Sequence, residues 1–271
     1  MSWNPRALAA SPFFASVASL LDALPADRFP QTPDLNALTG PDIVSGGGVP
    51  IRFVKPLPAD RSSASGFESN YEVRVHGEGA VETRDESLHD LFNALGWLRF
   101  PRAKAALNRC HYRQMRARAD EGGARGATRD ALTLFDESGV LVVSSSPEFL
   151  RLLRAFEWKA LFVQRREEIA SSLRVYVFGH SILEKAVSPY KGLTGKAMLF
   201  QVEREFFDMP ADVQLRELDR RVEGDVDSLS ESPSFAPLPL LGIPGWCADN
   251  QDPAYYDDTS QFRPGRAVRK P

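Results

Sequence analysis

Leu88, Leu91, Phe92, Leu95 and Leu98 recur at three- and four-residue steps, and Pro101 then interrupts the run. A stripe of that period buries one face only as an amphipathic helix. Proline ends it because the ring removes an amide donor and clashes with the preceding turn. The spacing predicts a helix over 87–100 and a second over 102–118, broken afterwards by Gly122, Gly123 and Gly126. Both helices need a common core, and the rest of the chain must supply it.

The period changes elsewhere. Ile51 to Val54, Tyr71 to Val75 and Ala80 to Thr83 read as short strands, with loop over 56–70. Ala131 to Phe135 and Val140 to Val143 flank Asp136-Glu137-Ser138-Gly139, which predicts a β-hairpin. Leu173 to Phe178 is β-branched and aromatic, as a central strand would be. Further helices are expected over 11–24, with Ser11 as N-cap and Pro12 in the first turn, and over 147–156, 181–187 and 195–207. Residues 210–226 read as a polar helix or linker. Hairpins mixed with helices favour an α+β protein over a doubly wound parallel sheet. The expected architecture is a single mixed domain with helices packed on a small, mostly antiparallel sheet. Residues 1–70 form a helix and loop-rich lead-in, and residues 71–271 form the main domain. From Ser228 on, little regular structure is expected. Leu240, Leu241, Ile243, Trp246, Tyr255, Tyr256 and Phe262 should nevertheless hold the tail against the domain.

Composition limits the partners. The net charge is -3 with 25% charged residues, too near neutral for strong overall attraction to nucleic acid or to a membrane surface. No stretch approaches the roughly 20 apolar residues that a membrane helix needs. Arg6 precedes an apolar segment, but Phe13, Val17, Leu20, Leu21 and Leu24 recur at helical spacing within it, so a packed helix is expected rather than an export signal. The two cysteines, Cys110 and Cys247, show no C-x-x-C spacing and read as free thiols in a reducing compartment, so a cytoplasmic chain is expected.

Four blocks stand out in order. They are His89-Asp90-Leu91-Phe92-Asn93-Ala94-Leu95 through Phe100-Pro101 and Lys104 to Asn108; Arg129 to Thr133 with Asp136-Glu137; Phe178-Gly179-His180 with Glu184-Lys185; and Pro237-Leu238-Pro239 through Gly242-Ile243-Pro244-Gly245-Trp246 to Asn250. On these blocks the chain resembles, from about residue 70 to residue 266, a proteobacterial family known as domain of unknown function 3025. The resemblance implies a bacterial protein and carries over no catalytic residue.

The chemistry must therefore be read from the residues. His89 and Asn93 stand four apart, on one helix face, with Asp90 beside them to orient an imidazole or bind a cation. The competing reading is a capping box formed by Ser87 and Asp90. His180 and Glu184 repeat the spacing directly after the Leu173 to Phe178 strand. Gly179 permits close backbone approach there, and a strand-to-helix turn commonly carries a site. His89, His111, His180 and Glu184 together offer nitrogen and oxygen ligands for a divalent metal such as zinc. His89, Asp90, His180 and Glu184 are the candidate catalytic residues. Asn93, Asn108, Arg109 and Arg113 are candidate binding residues, with Asp249 and Asn250 closing the pocket from the tail. The expected chemistry is hydrolysis or group transfer on a small molecule, by histidine or by a metal-bound water.

A second reading stays open. Residues 99–118 hold seven Arg or Lys and no acid, among them Arg109, Arg113 and Arg116 on one face. Such a face suits a phosphate-bearing ligand of a non-catalytic binding or regulatory protein. Residues 203–231, however, carry ten acids against four arginines, so the two segments could dock on each other instead. Gly192-Leu193-Thr194-Gly195-Lys196 lacks the spacing of a phosphate loop and reads as a turn leading into a helix.

Overall fold

The computed structural model describes residues 3–56, 67–121, 127–231 and 235–265. Its centre is a four-stranded sheet. Strand β3 (Gly139–Ser144) lies antiparallel to β4 (Leu173–Val177) and parallel to β5 (Thr194–Gln201), and β5 lies antiparallel to β6 (Ala236–Pro239). The spatial order is β4-β3-β5-β6. A parallel pair, β1 (Arg52–Val54) with β2 (Ala80–Glu82), stands apart from it.

Every residue of β3 is buried, because its two faces feed two cores. Val140 and Val142 enter one, and Leu141 and Val143 enter the other. Residues of β4 alternate likewise, Val175 and Val177 against Tyr176. On the first face pack α1 (Pro5–Ala9), α2 (Ala18–Asp22), α3 (Thr32–Asn36), α5 (Leu88–Arg99), α8 (Pro147–Arg154), α9 (Arg166–Ser172) and α10 (His180–Ala186). On the second lie α6 (Pro101–Glu121), α7 (Ala127–Ser138) and α11 (Ala211–Glu231). Helices thus cover a small mixed sheet, as the α+β reading expects. Phe13, Phe14, Val17, Leu21, Ile51 and Phe53 share the first core with the later elements.

Several local expectations give way. Tyr71 to Val75 is helical, within α4 (Tyr71–Glu78). The Asn70 side chain accepts the Glu72 amide, and Gly79 ends the helix in the left-handed region at φ 66°, so the caps override a five-residue alternation. Ala131 to Phe135 is helical too. Leu132 and Phe135 are wholly buried three residues apart, and α7 runs to Ser138 and straight into β3 with no hairpin. Residues 194–201 form a strand in place of the expected helix, and Arg204–Asp208 is a 3-10 turn. A strand buried on both faces shows the continuous apolar run that periodicity alone confuses with a helix. Leu173–Val177 is an edge strand and not a central one. The N-terminal segment shields that edge, where the buried Ser16 hydroxyl donates to the Val177 carbonyl at 2.6 Å. The expected first helix is divided into α1, a 3-10 turn over Pro12–Phe14 and α2. The glycine break at 122–126 and most of the 56–70 loop lie outside the described residues.

The long polar helix of 210–226 extends over Ala211–Glu231 and packs along α6. The basic and acidic segments meet there. Arg102 pairs with Glu223 at 3.3 Å, and Arg113 pairs with Asp227. The buried Asp219 accepts the backbone amides of Arg102 and Ala103 at 3.2 and 2.9 Å, capping α6. Burial, opposed by those two hydrogen bonds, pushes its carboxyl up to about 6. Among the described residues, no helix is long and apolar enough to cross a membrane. Cys110 and Cys247 are free thiols.

Candidate functional site

A polar cleft of about 430 Å³ opens between α4, α5, α7 and the start of α10. Tyr71, Glu72, Glu82, Arg84, His89, Asp90, Asn93, His111, Thr133, Asp136, Glu137 and His180 line it. Its volume is that of a small-molecule site.

An ion pair lies beneath the lining. Lys104, on α6, is 5% exposed. Its Nζ donates to Asp136 Oδ1 and Oδ2 at 2.6 and 2.8 Å and to Asn93 Oδ1 at 2.9 Å, and it lies 5.5 Å from the centre of the Trp97 ring. Asn93 in turn donates to the Tyr71 hydroxyl at 2.9 Å. Burial works to raise the Asp136 carboxyl, but Lys104, His180 and His111 outweigh it and hold the group below the usual carboxylate value. Asp136 is therefore ionised at neutral pH.

His180 begins α10. Gly179 makes its position attainable, since a Cβ there would meet the Glu137 carbonyl oxygen at 2.4 Å and the Gly139 nitrogen at 2.6 Å. The Phe178 and Gly179 amides both donate to the Gly139 carbonyl, at 3.0 and 2.8 Å. The turn after β4 is thereby pinned to the α7–β3 junction, and His180 Nδ1 comes to 3.8 Å from Asp136 Oδ2. His180 is 7% exposed and its Nδ1 has no hydrogen-bond partner. Burial, only partly offset by Asp136 and reinforced by Lys104 and His89, lowers its pKa to about 4. The ring is uncharged at neutral pH.

His89 projects from the first turn of α5. Its ring meets that of His180 edge-on, with centroids 4.6 Å apart and planes at 82°. Its Nδ1 is 2.9 Å from Glu184 Oε2, and its side chain is 39% exposed. His111 is 4% exposed, and its Nδ1 also lacks a partner.

The structure thus brings His89, His111, His180 and Asn93 to one cleft, with Glu184 behind His89. Asp90 also lines it but is committed elsewhere. It accepts the Arg84 backbone amide at 2.8 Å and the Arg84 guanidinium at 2.7 and 2.8 Å, while its own amide donates to Ser87 Oγ. This is half of the expected capping box, with the carboxylate turned back to Arg84 instead of to the Ser87 amide. Burial raises the Asp90 carboxyl less than Arg84 lowers it.

Of the other candidates, Asn108 and Asn250 brace the fold. Asn108 accepts the Gly46 amide at 3.1 Å and donates to the Glu72 carbonyl and carboxylate at 2.9 and 2.7 Å. Arg109 belongs to the α6 turn against which Gly46 packs, and Arg113 faces α11. Neither lines the cleft. Asn250 is fully buried. It donates to the Leu241 and Ile243 carbonyls at 2.9 and 2.8 Å and accepts from Arg166. Asp249 is exposed on the same tail. The tail pair therefore does not close the cleft.

Among the described residues, no group of three or more His, Cys, Asp or Glu side chains is disposed to hold a metal ion. The four ligands expected for a divalent cation appear instead as a hydrogen-bonded pair, His89 with Glu184, beside His180 and His111, which face Asp136. Sequence reasoning did not single out Lys104 and Asp136 as site residues. Both stand in the four blocks, but reading 136–139 as a hairpin turn put Asp136 at a tip instead of on the last turn of α7.

The family model described as a protein of unknown function, DUF3025, matches residues 51–266. No curated protein and no solved structure matches. The chain belongs to the DUF3025 family, and the match begins ahead of the expected start near residue 70 to include β1.

Proposed function

We propose that this member of the DUF3025 family is an enzyme of the hydrolase or transferase class, with the cleft as its active site and His89 as its proton-transferring group. The observation that carries the reading is the 2.9 Å contact between His89 Nδ1 and Glu184 Oε2 at the mouth of a cleft holding two further histidines. Glu184 accepts the Nδ1 proton, which leaves the Nε2 lone pair toward the substrate. Nε2 takes a proton from an attacking water or hydroxyl and returns it to the leaving group. His180 remains uncharged, so no second positive charge stands beside His89. The Lys104–Asp136 pair holds Asn93 and Tyr71 in position.

The Arg-rich face of α6 has weaker support as a phosphate site, because Arg102 and Arg113 are paired with acids of α11. The test is a panel of ester, thioester and amide substrates and acyl acceptors, assayed with the wild type, His89→Gln and Glu184→Gln. Activity that falls about 10²–10⁴-fold in His89→Gln, the range for a general acid–base, supports the reading. Activity retained in full by both variants sinks it.

A further inference from the structure

We infer that the cleft binds a small organic cation, a compound bearing a primary ammonium group. The inference rests on the active-site reading above and names its substrate class.

The charges on the lining are unequal. Glu72, Glu82, Asp90, Asp136 and Glu137 all face the cleft, and Arg84 is the one lysine or arginine among the described lining residues. The cations in reach are already engaged. Arg74 pairs with Glu82, Arg84 with Asp90, and Lys104 with Asp136. Glu72 and Glu137 have no cationic partner among the described residues, although Glu72 accepts an amide proton from Asn108. An anionic ligand would meet carboxylates whose counter-charges are spent, whereas an ammonium would complete them.

A second, independent feature points the same way. His111 and His180 are more than nine-tenths buried, line the cleft, and have no hydrogen bond at Nδ1. With its proton on Nε2, the uncharged His180 ring offers the unpartnered Nδ1 lone pair to an N–H donor, and Asp136 Oδ2, 3.8 Å from that nitrogen, sets a negative charge beside it. Tyr71, with 36% of its surface exposed, adds an aromatic face of the kind that attracts ammonium groups. Because no group of described side chains is disposed to hold a metal ion, the cation these features fit is organic.

The test is calorimetric titration of the full-length protein with 1,4-diaminobutane, inorganic phosphate and zinc chloride in separate experiments. The diamine is expected to bind, to bind more weakly as salt is raised, and to lose about tenfold in affinity in Glu137→Gln. Glu72→Gln serves as the second variant and is expected to act in the same direction. Binding of phosphate or zinc without the diamine overturns the inference, as does diamine affinity unchanged in both glutamine variants. Binding and turnover fail separately. No diamine binding with His89-dependent turnover removes the substrate class alone, whereas diamine binding with turnover indifferent to His89 removes the active-site reading alone.

Discussion

His180 Nδ1 stands 3.8 Å from Asp136 Oδ2, yet its ring is uncharged at neutral pH, with a pKa of about 4. A carboxylate at that distance would ordinarily favour an imidazolium. Two things prevent it. The ring is buried, and the charge of Asp136 is already matched by Lys104 at 2.6 Å.

This environment makes stability depend on pH. The folded pKa lies below the unfolded value of about 6.5, so the unfolded chain binds the proton more readily. The contribution is fully present above pH 6.5 and is lost as pH falls through 4, by about 3 kcal/mol in all. Asp219 acts oppositely, since its raised carboxyl takes a proton in the folded state first and favours folding as pH falls below 6. The two must be separated by difference. Urea denaturation of the wild type and His180→Gln at pH 7 and pH 5 should show a steeper acid loss in the wild type, and parallel behaviour would contradict the assignment.

Asp136→Asn leaves the Lys104 ammonium buried with no anionic partner, beside Asn93 and the Trp97 ring. Breaking one side of a buried pair typically costs 3–5 kcal/mol. Asp136 keeps some solvent contact, so a loss of about 3 kcal/mol in chemical denaturation is expected. Adding Lys104→Met should recover part of it. Strictly additive losses in the double variant would mean that the pair is not coupled.

Gly179→Ala places a methyl 2.4 Å from the Glu137 carbonyl oxygen. Neither that oxygen nor the Gly139 nitrogen is a flexible side-chain end, so the turn must move. A loss of about 1–3 kcal/mol is expected, and the histidine resonances of the cleft should shift with it. A variant as stable as the wild type would show that the two turns are not in close contact.

Asn250→Ala separates structure from site. It strips hydrogen bonds from two buried carbonyls and from Arg166, and leaving such groups unpaired costs about 1–3 kcal/mol. The midpoint of thermal unfolding should drop, while the titration of His180 stays unchanged. A stable variant with altered histidine titrations would return Asn250 to the cleft.

Much of the cleft was legible in the sequence, because helical spacing is a local property. His89 with Asn93, and His180 after Gly179 at a strand end, could be read from period and turn chemistry alone. The strand itself is legible, but its place at the sheet edge is not, since neighbouring strands and the Ser16 contact set that. Asp136 escaped for a related reason. Ala131 to Phe135 fits strand and helix equally over five residues, and only the burial of both Leu132 and Phe135 decides for helix. Asp90 and Asn250 misled in the opposite sense. A carboxylate beside a histidine and an asparagine on irregular backbone suit either chemistry or bracing, and the partners that decide, Arg84 and Arg166, are named by no motif.

The measurement that bears most directly on the enzyme reading is untargeted mass spectrometry of a metabolite extract incubated with wild-type protein or with folded His89→Gln. The wild type is expected to consume at least one amine-bearing small molecule and form its product, and His89→Gln to do so at least about a hundredfold more slowly. Equal consumption by the two proteins, or none by either, would contradict it.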